Sequence, residues 1–241
     1  MGLAPYGQPK FVKKIKDHLI DIKDDGSFRL DISFFKYHRG FRMTSRKFHK
    51  LFGSPPRGSE KELTQFHMDL AASIQVVTEE IVIKIARSLR KETGTKNLCL
   101  AGGVALNCVA NGKLLEEKIF DKIWIQPASG DAGSALGTAL LGWHEYYNKP
   151  RQPNEDDSMK GTYLGCDFSN KEIISYLEGI NAPFQTMKDI ELFEKLAQIL
   201  DEGKVIGWFN GPMEFGPRAL GGRSIIGDPR NEKMQSVMNL K

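Results

Sequence analysis

The sequence predicts an α/β protein. Three observations carry that reading. An apolar strand at 97–101 ends in Gly102-Gly103, a second at 122–126 ends in Pro127-Ala128-Ser129-Gly130, and a helix follows each. Strand, helix, strand, helix is the alternation from which parallel sheets are built.

Residues 1–62 read as irregular: basic, aromatic and punctuated by Gly and Pro. Between 31 and 57, Phe34, Phe35, Tyr37, Phe41, Phe48 and Phe52 interleave with Lys36, Arg39, Arg42, Arg46, Lys47 and Lys50. Such a mixture is either a stacking surface for single-stranded nucleic acid or a segment that buries its aromatics and leaves its charges in water. The frequent burial of Phe favours the second.

The pattern predicts one long amphipathic helix over 65–93. Leu70, Ile74, Val77, Ile81, Ile85 and Leu89 recur at steps of three or four and share a face. Arg87, Arg90 and Lys91 oppose the negative end of its dipole, and Gly94 stops it. After the first glycine pair a helix is expected over 104–117, and after the second turn a helix of small residues over 131–147. The polar, Pro-containing stretch 148–160 reads as a linker. Beyond it come a short strand after Gly161, helices near 170–178 and 190–202, a strand at 204–209, and a Gly- and Arg-rich stretch over 210–230.

Of 241 residues, 40% are hydrophobic and 27% charged, which excludes a disordered or fibrous chain. No stretch approaches the ~20 apolar residues of a membrane span. The first 16 residues carry Pro and Lys where a signal peptide needs an apolar block. Cys99, Cys108 and Cys166 are odd in number and lack metal spacing, so they read as small core residues of a cytoplasmic protein. Residues 1–68 carry a net charge of +7 and the remainder −3. A basic excess confined to one segment argues against nucleic acid as the partner of the whole protein. The five His show no metal spacing, and no Ser–His–Asp or Cys–His set is assignable.

Three constellations carry the chemistry. In the first, a strand runs into Gly102, Gly103, Val104 and then Asn107. Glycine lets a ligand approach the backbone, and the N–H groups of a helix start favour an anion. An unliganded Gly-Gly turn fits equally well. In the second, Asp131 stands at a helix start framed by Gly130 and Gly133, as a helix cap or as a hard oxygen ligand. Two adjacent strand ends with Gly-rich turns suggest a shared crevice. In the third, Arg218 and Arg223, with Ser224, lie among Gly211, Gly216, Gly221 and Gly222. This resembles an oxyanion or phosphate cradle, with Glu214 orienting an Arg, against the alternative of a solvated loop.

At these constellations the sequence resembles the ATP-dependent O-carbamoyltransferases, the family of the nodulation-factor and antibiotic carbamoyltransferases. Further anchors are Met1-Gly2-Leu3-Ala4-Pro5-Tyr6-Gly7 and His67-Met68-Asp69-Leu70-Ala71-Ala72-Ser73-Ile74-Gln75. The resemblance implies two modules. Residues 1–147 would be the second half of an actin/sugar-kinase-like domain similar to the threonylcarbamoyl transferases. Residues 161–241, after the linker, would begin a domain similar to the threonylcarbamoyl-adenylate synthases. It also implies an enzyme that makes carbamoyl-adenylate from carbamoyl phosphate and ATP and passes the carbamoyl group to a hydroxyl on a small-molecule acceptor. Gly102, Gly103, Val104 and Asn107 would border the nucleotide. Asp131 would ligate an iron-like divalent metal. Arg218, Arg223 and Ser224 would hold phosphate or carbamoyl-phosphate oxygens.

There are three departures. The family's paired metal-binding His lie in a segment before Met1. The second module is cut at Lys241. Pro212 stands where members often carry Arg, and Gly222 where Asn is common. The expectation is a fragment, inactive in isolation. A sugar-kinase-type phosphotransferase, and a nucleic-acid- or partner-binding module using 31–57, remain the alternative readings. Oligomeric state is open, a homodimer included.

Overall fold

A computed structural model describes residues 2–58, 61–153 and 156–239. Of the residues used above, Met1, Asn154, Glu155 and Lys241 lie outside them. The protein is a mixed α/β structure with three two-stranded sheets among the described residues. It divides into two compact units, Met1–Ile125 and Gln126–Lys241, and residues 148–160 fall within the second.

The first unit is organised by α3 (Gln65–Thr93). The long periodic helix forms as expected. Thr64 caps it through His67, whose Nδ1 accepts from the Thr64 N–H at 3.0 Å, and Gly94 ends it in the left-handed conformation. Arg90 satisfies that end directly, donating to the Gly94 carbonyl at 2.8 Å.

Residues 1–62 are more regular than expected. They form a 3₁₀ turn (Ala4–Tyr6), α1 (Val12–His18), the antiparallel hairpin of β1 (Ile20–Ile22) and β2 (Phe28–Leu30), a second 3₁₀ turn (Ile32–Phe34) and α2 (Arg46–Phe52). Ile15, Leu19, Ile20, Phe34 and Phe52 from these pieces close a core on Val77 and Ile81 of α3. The aromatic-basic stretch is split by this packing. Phe34 and Phe52 are buried, Phe35 and Phe48 pack against them, and Tyr37 and Phe41 stay exposed. The apolar face of α3 is buried only at its middle, since Ile74, Ile85 and Leu89 are exposed. The buried remainder includes Asp69, Ser73 and Glu79, each hydrogen-bonded.

β3 (Asn97–Leu100) and β4 (Lys122–Ile125) pair in parallel, Asn97 opposite Lys122 and Leu100 opposite Ile125. The expected helix between them is broken. A 3₁₀ turn, Gly103–Leu106, precedes α4 (Cys108–Glu116), and Asn107 at φ −76°, ψ 88° separates the two. A second core of Ala86, Leu98, Leu114 and Phe120 lies beneath.

In the second unit, α5 (Asp131–Leu141) runs into a π-helical turn, Gly142–Tyr146. None of the α5 residues is buried, so its small side chains are not covered along their length. α6 (Asn170–Gly179) and α7 (Asp189–Asp201) lie near the expected places. β5 (Ile206–Phe209) pairs antiparallel with β6 (Arg223–Ile226), followed by α8 (Met234–Asn239). The short strand expected after Gly161 is a 3₁₀ turn, Lys160–Thr162. Gly161 and Thr162 both adopt positive φ, which breaks a regular ladder. The segment still pairs locally: Phe215 donates its N–H to the Thr162 carbonyl at 2.7 Å, Gly165 to Met213 at 2.8 Å and Met213 to Cys166 at 3.0 Å. The three cysteines are free and exposed, not core residues. No helix among the described residues is long and apolar enough to cross a membrane.

Candidate functional site

The first strand exit turns on Gly102, whose φ of 96° with ψ of 157° only glycine adopts without strain. Gly102, Gly103 and Val104 are exposed at the edge. Asn107 is 3% exposed and caps α4, its Oδ1 accepting the Ala110 N–H at 3.2 Å. The same oxygen accepts from Gln75 Nε2 at 3.1 Å, while Asn107 Nδ2 donates to Gln75 Oε1 at 3.0 Å. Gln75 Nε2 also donates to Glu79 Oε1 at 2.7 Å, and Lys113 donates to the other Glu79 oxygen. Beside the turn lies an apolar groove of about 240 Å³, lined by Ile85, Leu89, Leu100, Val104 and Leu114 among others. A glycine edge next to an apolar groove suits a flat heterocycle whose polar tail passes the backbone.

The second exit belongs to the second unit. Gly130 occupies the cap position of α5 without a side chain to offer, and Asp131 follows as the first helical residue, exposed. The preceding Ser129 is 5% exposed, and its hydroxyl has no hydrogen-bond partner among the described residues. Asp131 is one hard ligand. No group of three His, Cys, Asp or Glu gathers anywhere among the described residues, so these residues do not by themselves fit a divalent metal.

The third constellation is built around Glu214, 9% exposed. Its carboxylate accepts the backbone N–H groups of Leu220 and Gly222, each at 2.8 Å, and of Arg223 at 3.2 Å. Those donors hold it at a pKa of about 2, the Leu220 N–H contributing most. Glu214 gathers the loop backbone. Arg223 faces inward. Its guanidinium donates to the carbonyls of Gly211 at 2.8 Å, Gly222 at 2.7 Å and Cys166 at 3.1 Å, and stacks 3.4 Å from the Phe209 ring centroid. Ser224 accepts the Gly221 N–H on Oγ at 3.0 Å. Arg218 is exposed. A side chain at Gly222 would stand 2.7 Å from the Pro212 carbonyl oxygen and 3.0 Å from Glu214 Oε2, which accounts for glycine there.

The second and third constellations meet. A Cβ on Gly216 would lie 3.0 Å from the Pro127 carbonyl oxygen, so the Arg218 loop is seated on the turn that leads into Asp131. The 102–107 turn belongs to the first unit. Four residues in these networks had no assigned role in the sequence: Gln75, Glu79, Lys113 and, as a backbone cradle, Glu214. Gln75 ends one of the anchor motifs. The cradle leaves no side-chain signal, because its partners are backbone groups six to nine residues away.

Residues 1–140 match the family description "Carbamoyltransferase N-terminus" and residues 197–241 match "Carbamoyltransferase C-terminus". An uncharacterized protein of Synechocystis is 58% identical over 243 residues, which cover 100% of this chain and 40% of that protein. Nodulation protein NolO of Bradyrhizobium diazoefficiens is 36% identical, with 99% of this chain and 41% of that protein covered. Nodulation protein NolNO of Sinorhizobium fredii is 37% identical, with 95% and 32% covered. The chain thus spans about 40% of the length of the first two of these curated relatives and 32% of the third. The N-terminal match alone takes in more than half of the sequence, and the chain belongs to the carbamoyltransferase family.

Proposed function

We propose that the chain is part of an enzyme that makes carbamoyl-adenylate from carbamoyl phosphate and ATP and transfers the carbamoyl group to an acceptor hydroxyl. In this reading Gly102, Gly103, Val104 and Asn107 border the nucleotide, with the neighbouring apolar groove taking its base. Water releases phosphate from carbamoyl phosphate, and an oxygen of the carbamate so formed attacks the α-phosphorus of ATP as pyrophosphate leaves; the loop carried by Glu214 presents Arg218 to these oxygens, and charge neutralisation there favours both departures. Arg223 and Ser224 hold that loop in shape, their polar groups being engaged with its backbone and, for Arg223, with the Cys166 carbonyl. The acceptor oxygen then attacks the carbonyl carbon, AMP leaves, and the hydroxyl proton passes to solvent. The fold proposed for the first unit is the actin/sugar-kinase type, and for the end of the chain the start of an adenylate-synthase-like module. The parallel β3–β4 pair with a helix crossing between its strands supports the former.

The observation that carries this reading is the seating of Gly216 on the Pro127–Ala128 turn, which puts the Arg218 loop and the Asp131 exit into one neighbourhood. The test is ATP–pyrophosphate exchange dependent on carbamoyl phosphate, in the protein that contains this chain. Arg218→Ala is expected to abolish it; wild-type exchange by that variant would remove the proposed role. A sugar-kinase reaction would show ATP turnover without any carbamoyl phosphate requirement.

A further inference from the structure

We infer that Gln75 and Glu79 on α3 are positioning residues that set the orientation of the Asn107 amide toward the nucleotide; this rests on the nucleotide reading of the 102–107 turn. An Asn that only caps a helix needs one bond from its oxygen to a backbone N–H. Asn107 has that bond and is also locked, face to face, to an amide 32 residues away on another helix.

The donors and acceptors allow one arrangement. Glu79 carries a carboxylate that accepts only, so Gln75 must turn its NH₂ toward it. That places Gln75 Oε1 against Asn107 Nδ2, and Asn107 Oδ1 against both Gln75 Nε2 and the Ala110 N–H. Both lone-pair directions of Oδ1 are then in use, with one hydrogen of Nδ2. The second Nδ2 hydrogen lies outside the network, and its direction is fixed by it. Asn107 thus meets a ligand as a donor.

The burial of Glu79 points the same way. It is 5% exposed, and a buried carboxylate costs desolvation that an apolar residue would avoid. Lys113 from α4 and Gln75 from α3 compensate it, and Lys113 ties α4 to the same point. The turn is pinned at one end by the Gly102 bend and at the other by this relay.

The test uses the protein that contains this chain. Binding of ATP in magnesium-containing buffer is followed by calorimetry, well below the melting temperature, alongside amide hydrogen exchange. Gln75→Leu removes the amide at similar size. It is expected to weaken ATP about tenfold, the worth of a lost hydrogen-bond pair, and to speed exchange of the 103–107 amides by about as much relative to the β1–β2 hairpin. Glu79→Gln is expected to do the same less severely, while Lys113→Arg, which keeps the cation, stays within twofold. A merely structural role would lower the melting temperature and leave ATP affinity untouched. Equal ATP affinity of wild type and Gln75→Leu overturns the inference alone. No ATP binding by wild type overturns the nucleotide reading and the inference with it. Should Gln75→Leu not fold, Gln75→Met serves the same comparison.

Discussion

Lys10 donates its ammonium to the carboxylate of Asp69 at 2.6 Å, fixing the N-terminal segment to the first turns of α3. The same carboxylate accepts from Gln65 Nε2 and from the Gln8 N–H, each at 2.8 Å. Two anchor motifs far apart in sequence also touch: a Cβ on Gly7 would stand 2.0 Å from the Met68 carbonyl oxygen. These bonds, that of Lys10 above all, hold the Asp69 pKa at about 2, below its ordinary 3.8.

A carboxyl lowered by folding stabilises the protein above its ordinary pKa, and that contribution is lost as pH falls toward the lowered value. Asp69 should therefore add stability at neutral pH that disappears between about pH 4 and pH 2. Asp69→Asn is expected to lower the urea midpoint at pH 7 and to flatten the decline over that window. Urea melts at a series of pH values check this.

Glu214 titrates in the same direction, from its ordinary 4.5 to about 2. Acidification through that range should release the N–H groups of Leu220, Gly222 and Arg223, and loosen the loop while α3 stays protected. Hydrogen exchange at pH 3 against pH 6 is the measurement, read for 220–223 against 77–81.

Arg218 and Arg223 should separate in their effects. Arg223→Ala frees three carbonyls and a stacked ring, so it is expected to lower thermal stability as well as exchange activity. Arg218→Ala is expected to reduce carbamoyl-phosphate-dependent exchange by about 10²-fold or more at temperatures where the variant stays folded. Melting curves and exchange assays on both variants distinguish them.

Leu114 is fully buried in the core beneath β3 and α4. Leu114→Ala is expected to cost about 2–5 kcal/mol through lost transfer energy and the cavity left behind. Gly102→Ala, strained at its positive φ, is expected to cost about 1–3 kcal/mol. Chemical denaturation gives both values.

Long-range pattern made α3 legible: its 29 residues repeat at helical spacing and carry a cap at each end. The short elements of 1–62 were not, because seven-residue helices and three-residue strands are held by tertiary packing more than by local preference. One local signal was present, since Ser45 and Gly53 bracket α2 as cap and stop. The break at Asn107 escaped because helical spacing continues through it; the side chain's use as a cap decides the conformation. Of the site, the two glycine exits and the Arg loop were visible as composition. The direction of each guanidinium was not, since it depends on which carbonyls the fold brings near.

Both hydrophobic clusters of the first unit draw on a single helix, Val77 and Ile81 entering one and Ala86 the other. α3 is therefore a shared spine. Damage to either cluster is transmitted along a continuous backbone ladder to the other, and to Gln75 and Glu79 beside it. The hairpin side and the glycine-turn side should melt in one cooperative step, so that a substitution in the distant aromatic segment will register at the glycine turn.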